Sequence, residues 1–128
     1  MTIDLHTIVL IDDEPDIRTI GRLSLERVGG WTVHTAASGA EGLEAARNHR
    51  PDLILLDVMM PGLDGPGTLA KLRTDPTLAS IPVVFMTAKV QRDEVDLYLK
   101  LGVAGVIPKP FDPMTLPTQL RAIFEEDA

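Results

Sequence analysis

Five short apolar runs, each followed by a segment of helical spacing, constrain this chain more than any other feature. The runs are Ile8 to Ile11, Thr32 to Ala36, Leu53 to Leu56, Val83 to Met86 and Gly105 to Ile107. Each has the length of a strand rather than a helix. The third, LILL, shows no polar alternation, as expected of a central parallel strand covered by helices on both faces. Between the runs, start and stop signals mark five helices. The first runs from Pro15 to just before Gly29-Gly30, and the second spans about Gly39 to His49, closed by Pro51. The third opens at Gly65-Pro66 and continues to about Arg73, and the fourth covers about Gln91 to Leu101, before Gly102. The fifth has Asp112 as cap with Pro113 behind it and presents Leu116, Leu120, Ile123 and Phe124. Pro117 removes a backbone donor there and disfavours helix at Leu116, which predicts a kink or a late start.

This alternation predicts an α/β fold, a five-stranded parallel sheet with right-handed crossovers that place helices on both faces. The expected strand order is 2-1-3-4-5, the flavodoxin-like doubly wound (βα)5 sandwich. Its switch point lies between strands one and three, and ligands bind beyond the carboxyl ends of the strands there. At 128 residues the chain fits one domain, and 45% hydrophobic with 24% charged residues is a globular composition. With no cysteine it has no disulfide framework or thiolate metal chemistry, and no basic segment precedes the first apolar run. The expected location is therefore the cytoplasm, without membrane insertion. A formal net charge of −7, with Lys and Arg scattered singly, argues against direct nucleic-acid binding.

Polar residues gather where the topology puts a site. Asp12 and Asp13 follow strand one, Asp57 strand three, Thr87 strand four and Lys109 strand five, while strand two supplies none. Each residue has a plainer reading: Asp12-Asp13-Glu14 as a cap for helix one, Thr87 as a strand-end hydroxyl, Lys109 as a solvated charge. Their convergence favours one shared site. Three carboxylates in one place repel unless they share a cation, and oxygen ligands without His or Cys favour Mg²⁺ or a similar hard ion. Lys109 and Thr87 then face the oxygens of a transferring phosphoryl group, and Asp57 is free to attack as a carboxylate nucleophile. The chain has no GxxxxGK[ST] or GxGxxG loop and no HExxH motif. His6, His34 and His49 fall away from the strand ends and read as structural or surface residues, and Met59 and Met60 as packing groups.

The segments IVLIDDEPDIR, DLILLDVMMPGLDG, IPVVFMTA and GVIPKPF together resemble the receiver domain of two-component response regulators, over about residues 7 to 125. The resemblance implies a single receiver domain over 1–128, of the stand-alone type. It implies phosphorylation of Asp57, with Mg²⁺ bound by Asp13, Asp57 and the Met59 carbonyl and reached by Asp12 mainly through water. It also implies that Thr87 is the switch hydroxyl and that the Lys109-Pro110 peptide is cis. Met59 and Lys89, two residues past Asp57 and Thr87, hold positions that tune phosphoryl lifetime in such domains.

One position departs from the family pattern: Val106 stands where an aromatic switch residue is usual. Phosphorylation then reshapes the surface through Thr87 and the loop before helix four, or the domain mainly passes phosphate on; both readings stay open. The implied partners are a histidine kinase or histidine-phosphotransfer protein, near helix one, and a protein target near helices four and five. Val95 and Leu99, four apart and off the stripe of Leu97, Tyr98 and Leu101, are expected to be exposed and to offer a partner or dimer contact. Two other readings compete. One is an interaction module of the same fold that is never phosphorylated, which the complete Asp57, Thr87 and Lys109 set opposes. The other, a flavodoxin-like cofactor carrier or a carboxylate-nucleophile phosphatase, is opposed by the missing phosphate loop and the lack of a second acid two residues after Asp57.

Overall fold

Leu53–Asp57 forms β3, and all five of its residues are buried. The reason is its place: β3 lies in the middle of a parallel sheet, with Thr7–Ile11 (β1) on one side and Val83–Thr87 (β4) on the other. Outside them lie Thr32–Ala36 (β2) and Gly105–Pro108 (β5), which gives the order β2-β1-β3-β4-β5 expected from the sequence. The computed structural model describes residues 5–127, so the first residues of the N-terminal segment read above lie outside it. In register, Ile11 stands beside Leu56, Asp57 beside Met86 and Thr87 beside Pro108. The carboxyl ends of β1, β3, β4 and β5 are thus level along one edge.

Alternate residues of each strand enter different cores. Val9, Ile11, Ile54, Leu56, Val83 and Phe85 pack against Gly39–His49 (α2) and Gly65–Thr74 (α3), and Tyr98 of Arg92–Lys100 (α4) joins them. Ile8, Leu10, Leu53, Leu55, Val84 and Met86 face the opposite side, with Leu25, Trp31, Leu116, Leu120 and Phe124. That side is covered by Pro15–Leu23 (α1) and Leu116–Asp127 (α5). Each such aliphatic side chain contributes about 1.5–3 kcal/mol by leaving water, which is what makes the parallel arrangement stable without disulfides.

Three local features differ from ideal helices. After Leu23 the first helix widens into a π-helical turn over Ser24–Val28, with the Gly29 N–H donating to the Ser24 carbonyl at 3.1 Å. The shift turns the Ser24 hydroxyl toward the Pro113 carbonyl in the β5–α5 loop, to which it donates. The fifth helix starts late, at Leu116, after a turn in which Asp112 accepts from the Met114 N–H at 2.9 Å. The late start agrees with the expectation from Pro117, but Leu116 is itself helical, because Pro117 falls in the first turn, where a backbone donor has no partner within the helix to lose. Gly65, first residue of α3, sits against the backbone that follows Asp57: an added Cβ would lie 2.7 Å from the Val58 Cα.

Helix α4 corrects one expectation. Val95 is half-buried, and it is Leu97 and Leu101 that face water, at 62% and 50% exposure, together with Leu99 at 44%. Tyr98 sets the helix's rotation, because its ring packs edge-on to Phe85 with centroids 5.4 Å apart. Val95, three residues earlier, shares that inward face, whereas Leu97 and Leu101 share another.

Candidate functional site

The level carboxyl edge of the sheet delivers the polar groups together. Asp12 is held immediately after β1: its N–H donates to the Ala36 carbonyl at 3.1 Å, and its own carbonyl accepts from Arg18 at 2.8 Å. Its carboxylate, fully buried, uses both oxygens. Oδ1 accepts the Glu14 N–H at 2.9 Å, and Oδ2 accepts from Lys109 Nζ at 3.0 Å. Asp57 ends β3 and is 2% exposed, with Oδ1 3.4 Å from the same ammonium. The Glu14 carboxylate completes the set around Lys109, at 3.2 Å.

Lys109 is aimed from the far edge of the sheet. Its N–H donates to the Thr87 carbonyl at 2.9 Å, continuing the β4–β5 ladder, and the following Lys109-Pro110 peptide is cis. Thr87 is buried, and its Oγ1 accepts the Lys89 N–H at 3.0 Å, which leaves its own proton free to be donated into the cleft. A cleft of about 360 Å³ opens over these groups and is lined by Glu14, Ile17, Asp57, Met59, Thr87, Ala88, Lys109 and Pro110.

Charge in this cleft is tightly coupled. Burial pushes the Asp57 carboxyl up to about 6, and the nearby Asp12 charge adds to the rise; Lys109 and the Met59 backbone amide oppose it. Burial works to lower Lys109, but hydrogen bonding to Asp12 and the charges of Asp12 and Asp57, with Glu14 adding to them, outweigh this and hold the ammonium above its usual range. Lys109 is a permanent cation here. Ligand oxygens of Asp12, Asp13, Glu14 and Asp57 all lie within 4.8 Å of one another. One cation among four carboxylates leaves negative charge uncompensated, and an all-oxygen donor set with both buried and open members fits a hard divalent ion.

Residues 8–121 match the family described as response regulator receiver domain. The chain belongs to the response regulator receiver family. Receiver domains bind Mg²⁺ at an acidic pocket, and phosphorylation is typical of them. This receiver domain is 38% identical to the transcriptional regulatory protein CseB of Streptomyces avermitilis, over 91% of this chain and 48% of that protein. It is 39% identical to the alkaline phosphatase synthesis transcriptional regulatory protein PhoP of Bacillus subtilis, over 91% of this chain and 47% of that protein. The chain therefore spans about half the length of the curated relatives it matches. Among solved structures it is similar to the chemotaxis response regulator CheY4 of Vibrio cholerae, with TM-score 0.86 and 28% identity over 94% of this chain and 99% of that one. It is also similar to the N-terminal domain of a response regulator receiver protein from Methanoculleus marisnigri, with TM-score 0.75 and 40% identity over 96% of both chains.

The structure brings together Asp12, Asp57, Thr87 and Lys109, with Asp13 beside them; Met59 lies at the rim, 63% exposed, which corrects its reading as a packing group, whereas Met60 is buried as expected. Val106 is half-buried and pairs with Phe85 across β5 and β4. Sequence reasoning missed Glu14 as a partner of Lys109 and Arg18 as the clamp on Asp12. The acidic run pointed at Glu14, but its signal was absorbed by the capping explanation. His34 and His49 lie elsewhere, stacked with ring centroids 3.5 Å apart, and His49 borders a separate hollow of about 460 Å³ between β2 and α2.

Proposed function

We propose that this receiver domain accepts a phosphoryl group on Asp57 from a phosphohistidine borne by a histidine kinase or histidine-phosphotransfer protein, and signals through protein contacts of its own surface. The observation that carries the proposal is the buried Asp57 carboxylate beneath an open cleft, with a permanently charged Lys109 at 3.4 Å. In the transfer an Asp57 oxygen forms a bond to phosphorus while the donor's P–N bond breaks, and the leaving imidazole takes its proton from solvent. Lys109 neutralises charge on the phosphoryl oxygens, and the Thr87 proton supplies a hydrogen bond. Mg²⁺, held by Asp13, Asp57 and the Met59 carbonyl with Asp12 behind, would offset the remaining negative charge as donor and acceptor approach. Because the phosphoryl group ends on the protein's own carboxylate, the domain is a stoichiometric acceptor rather than a turnover enzyme.

An acidic surface, with formal net charge −7, supports protein partners as what this stretch itself touches. The relatives' names assign them to transcription, and in a regulator of that size such output would belong to the whole protein. Without an aromatic ring at Val106, a phosphorylation signal would leave through Thr87 and the loop before α4. Incubation with Mg²⁺ and acetyl phosphate, read by intact mass, tests the central step: wild type gains one phosphoryl group and Asp57→Asn gains none. Wild type that gains none under several conditions would support an interaction module that is not phosphorylated.

A further inference from the structure

We propose that Glu14 is a positioning residue that holds Lys109 over Asp57 before phosphorylation and screens the cleft against small free phosphodonor anions. The inference rests on the reading of Asp57 as phosphoacceptor. The Lys109 ammonium has three N–H donors, and three carboxylates stand around it: Asp12 at 3.0 Å, Glu14 at 3.2 Å and Asp57 at 3.4 Å. Their freedom differs. The Asp12 carboxylate is fully buried and also bonded to the Glu14 N–H, and Asp57 is fixed at the end of a central strand. The Glu14 side chain is 60% exposed and can withdraw into water without leaving a buried charge behind. It is therefore the partner that a phosphoryl oxygen displaces most cheaply from Lys109.

Two further facts set Glu14 apart from an ordinary helix-start acid. It occupies the N-cap position of α1, yet its side chain makes no capping hydrogen bond and turns to Lys109 instead. It also lines the cleft that leads to Asp57 and Thr87. A small dianion that takes Lys109 as its partner in this cleft comes close to the Glu14 carboxylate, which lies 3.2 Å from the same ammonium and is far more exposed. Like charge at that distance disfavours binding, while the contact with Lys109 keeps the ammonium pre-placed for the transfer.

The two roles separate kinetically. With saturating Mg²⁺, the initial phosphorylation rate is followed against acetyl phosphate concentration for wild type, Glu14→Gln and Glu14→Ala. Glu14→Gln removes the charge but keeps an oxygen that accepts from Lys109, so its half-saturating concentration falls roughly three- to tenfold while its saturated rate stays near wild type. Glu14→Ala shows the same fall in half-saturation and loses saturated rate, because Lys109 is no longer held. Raising the salt concentration narrows the half-saturation gap between wild type and Glu14→Gln, which a merely structural role would not do. Half-saturation and saturated rate both unchanged in the two variants would overturn the role of Glu14 while leaving the acceptor intact. Wild type that takes no phosphate would remove the acceptor reading itself.

Discussion

Lys109 Nζ lies 3.0 Å from Asp12 Oδ2, an ion pair that joins the end of the last strand to the end of the first, and the carboxylate in it is fully buried. Removing one member of such a pair leaves a buried charge without compensation. Lys109→Met in metal-free buffer is expected to lower the unfolding free energy by about 3 kcal/mol. The same variant should be phosphorylated by acetyl phosphate about 100-fold more slowly. Urea titration and intact mass read the two effects separately.

Asp57 makes stability depend on pH in a direction opposite to most carboxylates. Its folded value is raised from 3.8 to about 6, so between these pH values the folded domain keeps a proton that the unfolded chain has released. Unfolding free energy therefore falls as pH rises through this window, and above it the buried carboxylate costs about 3 kcal/mol. Asp57→Asn should be more stable than wild type by about that amount at pH 7.5 with a chelator present. The difference should close toward pH 4 and also shrink on adding Mg²⁺. A gap in urea midpoints that is constant from pH 4 to 8 would refute the burial argument.

Gly65→Ala is expected to destabilise the domain by about 1–3 kcal/mol, although alanine is the better helix former. The added Cβ would meet backbone, at 2.7 Å from the Val58 Cα and 2.8 Å from the Asp57 carbonyl oxygen, and neither can swing aside as a side chain would. Because that backbone carries Asp57, slower phosphorylation should accompany the lower melting temperature.

Arg121 on α5 lies over the ring of Trp31 at 4.8 Å from the centroid and donates to the Gly29 carbonyl at 2.9 Å. Arg121→Ala should cost about 1–2 kcal/mol by removing both contacts. Trp31 is the only tryptophan in the chain, so its fluorescence reports the change without interference.

Leu97 on α4 and Leu101 at its C-terminal cap, both turned to water, are expected to tolerate serine with less than about 0.5 kcal/mol change in stability. Tyr98→Ala, which removes the ring packed on Phe85, should cost several times more. Chemical denaturation of the three variants checks the rotation assigned to this helix. Gel filtration and partner titration of the serine variants show whether the exposed leucines hold a contact.

Much of the fold could be read from residue order because each strand's pattern had a single solution. The unbroken run Leu53 to Leu56 suited only a central parallel strand, and Pro117 marked the late start of α5. Where the candidate site residues gather was legible for a related reason: in this topology the residues that end β1, β3, β4 and β5 come to one edge of the sheet. What stayed hidden depends on side-chain direction. The rotation of α4 follows from one aromatic contact, Tyr98 on Phe85, which no periodicity encodes when every other position is apolar. Glu14 escaped for the same reason, since an acid before a helix is explained equally well by capping and by an ion pair to a residue 95 positions away.

That separation in sequence has a consequence for the cell as well as for the fold. Asp12 and Lys109 stand 97 positions apart, and they meet only when β1 and β5 are both seated on the inner strands. If Lys109 acts as proposed, a chain truncated before β5, or caught with that edge strand undocked, would hold an acidic loop without the lysine that receives the phosphoryl oxygens. On the proposed reading, chemical competence would thereby be withheld from incomplete copies, because docking of the last strand and readiness for phosphotransfer would be one event.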